Sequence, residues 1–179
     1  MERKKASDFD REVLELFDGY VHGRITRREF LERAGRFAVG GMTAGAILES
    51  LSANYANPLV PRGDARIQEE YVTYPSPEGY GSVRAYMNRP AGATGRLPAV
   101  VVVHENRGLN PHIEDVARRF ATEGFLALAP DGLTSLGGYP GNDDRGREMQ
   151  SSLDRARLLE DFVAAVSFMQ SHPESTGRV

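Results

Sequence analysis

The run His104-Glu105-Asn106-Arg107-Gly108 places a carboxylate, an amide, a guanidinium and a glycine in one stretch directly after the consecutive valines 100–103. Continuous apolar character bounded by Pro98 and a polar turn describes a strand buried on both faces of a parallel sheet. Open sheets of that kind place their ligands beyond the C-terminal ends of their strands. A backbone N–H fixed there stabilises the negative charge that develops on a carbonyl oxygen under nucleophilic attack. Asn106 N–H is the candidate donor, and Gly108 lets the backbone turn closely. Glu105, as a buried carboxylate, would bond to a nucleophile or orient its base. The simpler alternative is an ion pair between Glu105 and Arg107 that caps the turn and does no chemistry.

Other chemistries fail on residue type or spacing. The 179 residues contain no cysteine, which excludes disulfides, thiolate metal sites and a cysteine nucleophile among them. No G-x-S-x-G elbow is present, and Ser82 and Ser135 lack the strand-to-helix setting that exposes a nucleophile. His104-Glu105 with His112 does not have the H-E-x-x-H spacing, and His22 and His172 have no partners in sequence, so no metal site is expected. Residues 137–141 neither follow a strand nor open a helix, so they do not read as a phosphate cradle. Asn142-Asp143-Asp144 lacks the ligand count of a calcium loop. No cofactor is implied. A net charge of −3 gives no basic footprint for nucleic acid. Hydrophobic content of 40% with 26% charged residues is that of a globular protein, and no run approaches the roughly 18 apolar residues of a membrane span.

The elements that must position the turn are legible from about Arg66 onward. Residues 69–74 and 82–88 are rich in β-branched and aromatic residues and flank the Pro- and Gly-containing stretch 75–81, which predicts a hairpin with a longer loop. After the turn, Ile113, Val116, Ala117, Phe120 and Ala121 fall on one stripe of a helix over residues 111–123, ended by Gly124. Residues 125–129 are the next strand, completing a right-handed strand–helix–strand unit. Residues 133–152 read as a long surface loop. A last helix over residues 154–171 is expected to bury Leu158, Leu159, Phe162, Val163, Val166 and Met169.

Residues 1–65 have a different character. Phe9, Val13, Leu14, Leu16 and Phe17 predict a helix capped by Ser7 or Asp8, and Thr26 with Glu29 forms the capping-box pattern of a second helix running to Gly40-Gly41. Asn57-Pro58 and Pro61-Arg62-Gly63-Asp64 look like a linker. The same region has a competing reading. Thr26-Arg27-Arg28-Glu29-Phe30-Leu31 matches the core of a twin-arginine export signal, followed by a weakly apolar segment 37–51 and small residues at Ala53 and Ala56 for cleavage. Glu49 interrupts that segment, and the leader before the arginines is itself patterned as a helix. The chain is therefore placed in the cytoplasm, with export to the periplasm as the alternative.

From residue 98 to 131 the sequence resembles the dienelactone hydrolase (carboxymethylenebutenolidase-like) family of α/β-hydrolases. A strand there ends in a glutamate-containing turn, followed by helix, strand and the pair Pro130-Asp131. Residues 71–90 and the final helix with His172-Pro173-Glu174 also fit, so the likeness covers roughly residues 66–179. It implies the N-terminal half of an α/β-hydrolase sheet, a hairpin plus parallel strands with flanking helices, preceded by a helical extension or leader over residues 1–65. By the resemblance, Glu105 interacts with the resting nucleophile and Asn106 supplies an oxyanion-hole N–H. Arg147 would bind a substrate carboxylate, with Arg145 as the alternative and a solvated charged loop as the plain one. The substrate would be a small ester or lactone. The family's nucleophile, usually the cysteine of a G-x-C-x-G elbow, is expected just beyond Val179. These residues alone are thus expected to be inactive, and unstable unless a complementing C-terminal chain covers the valine edge. The alternatives are a non-catalytic module binding a carboxylate or a partner, and a non-functional gene product.

Overall fold

The computed structural model describes residues 8–38, 43–52 and 57–179. The expected helix end at Gly40-Gly41 and the small residues Ala53 and Ala56 lie outside them. Packing divides the chain into two units, Met1–Asn54 and Tyr55–Val179.

In the first unit, α1 (Arg11–Val21) starts at Asp10, whose carboxylate accepts the Glu12 N–H at 2.8 Å; the cap is Asp10 rather than Ser7 or Asp8. Helix α2 (Arg27–Ala34) has the capping box read from its sequence, with Thr26 N–H donating to Glu29 Oε2 at 2.7 Å. A short 3-10 turn (Gly35–Phe37) follows, and then α3 (Ala44–Leu51), capped by Thr43. The helices close on Val13, Tyr20, Phe30, Ala34, Ile47 and Leu48, with Phe17, Tyr20 and Phe30 in ring contact. Arg27 and Arg28 stay exposed while Phe30 is fully buried, and Glu49 points outward from α3.

The second unit is built on a four-stranded mixed sheet in the order β1-β2-β4-β3. Strands β1 (Ile67–Ser76) and β2 (Gly81–Pro90) form the expected hairpin, with a ladder that extends to Ser76↔Gly81 and leaves a shorter loop than the sequence suggested. Strand β4 (Leu126–Pro130), buried throughout, pairs antiparallel to β2 and parallel to β3 (Ala99–Val101). Helix α4 (Pro111–Thr122) connects β3 to β4; Asn110 caps it, Pro111 opens it, and Ala117 and Ala121 pack fully buried on the sheet. The opposite face of the sheet is covered by α6 (Arg155–Ser171), capped by Asp154.

The valine strand departs from expectation. Only residues 99–101 pair as a strand, and Val103 is 51% exposed. The reason is position: β3 stands at the edge of the order above, with β4 on one side. Beside its other edge run residues 174–179, where Leu97 N–H donates to Glu174 O at 2.8 Å and Ala99 N–H to Arg178 O at 2.8 Å. Helix α6 also differs, burying Leu158, Asp161, Ala165 and Met169 while Leu159 (60%) and Val163 (49%) are exposed, as is Val166. Its apolar residues span more than one helical stripe, and the sheet covers one.

Residues 57–66 are not a free tether. Val60 is buried, its N–H donating to Asp115 at 2.8 Å and its carbonyl accepting from Arg118 at 2.6 Å, while Arg62 pairs with Glu114 at 2.6 Å. The predicted long loop 133–152 is also ordered, holding a 3-10 turn (Thr134–Leu136) and helix α5 (Asp143–Ser151) capped by Asn142. An N-cap asparagine followed by Asp143 and Asp144 is a helix-start signal. The polar composition of α5, without an apolar stripe, hid it.

Candidate active site

Beyond β3 the chain leaves the sheet and His104 turns inward, 4% exposed and edge-on to Phe162 with ring centroids 5.4 Å apart. Its Nε2 accepts the Gly132 N–H at 2.9 Å, so the ring proton sits on Nδ1, which bonds to Glu105 O at 3.0 Å. Burial holds the His104 pKa below the ordinary imidazole range, and the Glu105 carbonyl and Asp131 oppose this only in part. His104 is therefore a neutral bridge tying the end of β3 to the end of β4.

Glu105 is exposed, which corrects the expectation of a buried carboxylate, and the Glu105–Arg107 ion pair does not form. Instead Arg107 reaches Asp143 on α5 at 2.9 Å. Tyr139 OH donates to Asp143 Oδ1 at 2.8 Å; burial and that carboxylate push the Tyr139 pKa up. Gly108 has φ +81°, and a Cβ there would run into Leu133, so both conformation and space require glycine. The turn is closed from α5: Gln150 Nε2 donates to Glu105 O at 2.8 Å, and Gln150 Oε1 accepts the Gly108 N–H at 3.2 Å. Asp131, 2% exposed, holds the facing loop by accepting from Leu133 N–H and Tyr139 N–H, each at 3.1 Å.

Arg147 and Arg145 lie on α5 rather than in a loop. Arg147 is the more covered, 3.4 Å from Asp144, whereas Arg145 pairs with Glu148 at 3.0 Å on the exposed side. Between them Gly146 packs against the Arg107 carbonyl so closely that a Cβ would clash with it. The structure thus gathers Glu105, Asn106 and the helix carrying Arg147 around one turn.

Sequence reasoning missed His104, Asp131, Tyr139, Asp143 and Gln150 as supports of the turn. His104 was weighed only as a metal ligand, and Gln150 carries no sequence signal because its partners are backbone atoms 42 and 45 residues away. Among the described residues no group of three acidic, histidine or cysteine side chains is placed to hold a metal ion, and no helix is long and apolar enough to cross a membrane.

Comparison with known proteins gives these features a context. The sequence model of the family described as "Dienelactone hydrolase family" matches residues 83–179, and one described as "YqhI-like" matches residues 1–39. An Escherichia coli (strain K12) protein named "Putative hydrolase fragment YghX" is 61% identical over 114 residues, covering 63% of this chain and 97% of that protein. A "Putative carboxymethylenebutenolidase" of Synechocystis sp. (strain ATCC 27184 / PCC 6803 / Kazusa) is 33% identical over 102 residues, covering 51% of this chain and 39% of its own length. The solved structure "m3DLH" superposes with a TM-score of 0.51 at 28% identity, over 62% of this chain and 45% of that one. The chain thus spans less than half the length of the Synechocystis relative and of that structure.

Proposed function

Because the chain belongs to the dienelactone hydrolase family, we propose that it forms the oxyanion-binding part of a hydrolase acting on a small ester or lactone. The observation that carries this is the turn at the C-terminal end of β3, where the Glu105–Asn106 peptide is held on its carbonyl side by His104 and Gln150. The names of the relatives point to the same reaction class.

In this reading a nucleophile attacks the substrate carbonyl carbon and the π electron pair moves onto the carbonyl oxygen. Asn106 N–H donates to that oxyanion. Collapse of the tetrahedral species expels the alkoxide or enolate oxygen, which takes a proton, and water releases the acyl group in a second step. Glu105, exposed at the same turn, meets the resting nucleophile. Arg147 attracts a substrate carboxylate, in competition with Asp144 beside it. None of these steps asks for a cofactor.

The 179 residues contain neither cysteine nor G-x-S-x-G, so in this reading the nucleophile comes from a further segment or a complementing chain. Support for such a partner comes from Val103, exposed at the end of β3, and from the exposed Leu159, Val163 and Val166 on α6. The capping of α2 by Thr26 and the burial of Phe30 favour a helical extension over a leader for the first unit, with residues 57–65 packing on α4 instead, and with it a cytoplasmic location.

The test assays p-nitrophenyl acetate with these 179 residues alone and with the nucleophile-bearing portion of a family hydrolase. Hydrolysis is expected only in the mixture, and Glu105→Gln should lower it by about a hundredfold. Turnover by the 179 residues alone would refute the division of labour. An associated mixture that hydrolyses nothing but binds a carboxylate would favour a non-catalytic module, the reading to which the missing elbow also points.

A further inference from the structure

Glu105 C=O and Asn106 N–H are the two ends of one planar peptide unit, and in the trans form they point in opposite directions. Whatever holds the carbonyl therefore aims the N–H. The carbonyl is held by His104 Nδ1 at 3.0 Å from within the turn and by Gln150 Nε2 at 2.8 Å from α5. The same Gln150 carboxamide accepts the Gly108 N–H at 3.2 Å, so one side chain grips the backbone on both sides of Asn106.

We propose that Gln150 is a positioning residue of the oxyanion-binding turn, setting the direction of the Asn106 N–H through the peptide it shares with Glu105. This rests on the reading of that N–H as the oxyanion donor. Glutamine suits the task because the turn offers an acceptor at one end and a donor at the other. Aliphatic side chains supply neither partner, a carboxylate supplies no donor, and asparagine is one methylene shorter. Being neutral, glutamine also adds no charge that would repel an oxyanion. Its anchor is firm: the Asp143–Arg107 pair and the Gly146 contact fix α5 against the turn one and two helical turns away.

The test follows backbone amide resonances and hydrogen exchange in the full 179-residue chain with Gln150→Ala and Gln150→Glu. Gln150→Ala should speed Gly108 exchange by about tenfold, the worth of one backbone hydrogen bond, and displace the Asn106 resonance. Gln150→Glu keeps the shape and the acceptor, so Gly108 stays protected, yet at neutral pH it has no proton for the Glu105 carbonyl and Asn106 shifts. Protonating the new carboxyl, near pH ~4, restores a donor and returns the Asn106 resonance to its wild-type position. The wild-type chain at each pH subtracts the titration of His104, Glu105, Asp131, Asp143 and Asp144. A residue that merely fills space predicts a wild-type Asn106 resonance in Gln150→Glu at every pH. That result, or unchanged Gly108 exchange in Gln150→Ala, overturns the proposal. If Gln150→Ala does not fold, Gln150→Glu decides alone. None of these signatures needs turnover, so their loss removes the clamp and leaves the hydrolase reading to its own assay.

Discussion

At the scale of single residues, the centre of the turn after β3 is held by two side chains, His104 and Gln150, that bond to backbone. His104 shows the consequence. Its Nε2 accepts from Gly132, and a protonated ring has no acceptor to offer, so burial and the hydrogen bond both favour the neutral form. The folded pKa therefore lies below the unfolded value of 6.5. The sign follows directly: above pH 6.5 both states hold a neutral ring, and below it the unfolded chain binds the proton first. The contribution of His104 to stability is complete above that pH and is lost as pH falls through the folded pKa. Thermal unfolding between pH 7 and 5 should show a falling midpoint, and His104→Gln should flatten that slope, most of it if His104 is its main source.

At the scale of elements, α5 is the piece whose placement decides what the turn does. It has no apolar stripe and lies against the turn through polar contacts and through Gly146. That glycine makes an opposed prediction possible. In an exposed helix interior, alanine is worth about 1 kcal/mol more than glycine. Here a Cβ would clash with the Arg107 carbonyl, a backbone atom that cannot rotate away. Gly146→Ala should thus destabilise the second unit by about 1–3 kcal/mol, the range for overpacked sites, measured by denaturant unfolding. A gain in stability would mean that α5 does not seat on the turn as described. Residues 57–66 show the same principle from the other side. The Pro- and Gly-rich stretch reads as a linker, yet Val60 is fixed by Asp115 and Arg118 on α4.

At the scale of the whole molecule, the second unit carries apolar surface that its own described residues leave uncovered. Leu159, Val163 and Val166 lie on the outer side of α6, and Val103 is exposed at the end of the edge strand. Exposed apolar surface of this kind marks association. Light scattering on the 179 residues should show concentration-dependent self-association, and the double change Leu159→Gln with Val163→Gln should reduce it without lowering the unfolding temperature. A drop in unfolding temperature would place those side chains in the core instead. Much of this architecture was legible in the sequence. Periodicity and turn residues marked the hairpin, β3–α4–β4, α6 and the capping box of α2, because local patterns report which face of an element is apolar. The same patterns marked the turn 104–108 as the candidate site, because an apolar strand running into polar residues names its own end. Only the tertiary structure decided which apolar faces are covered, that α5 seats on the turn, that Gln150 holds the Glu105 carbonyl, and that His104 accepts from Gly132. Those facts depend on atoms distant in sequence meeting in space, and a side chain that bonds to a remote backbone carbonyl leaves no trace in the spacing of residues.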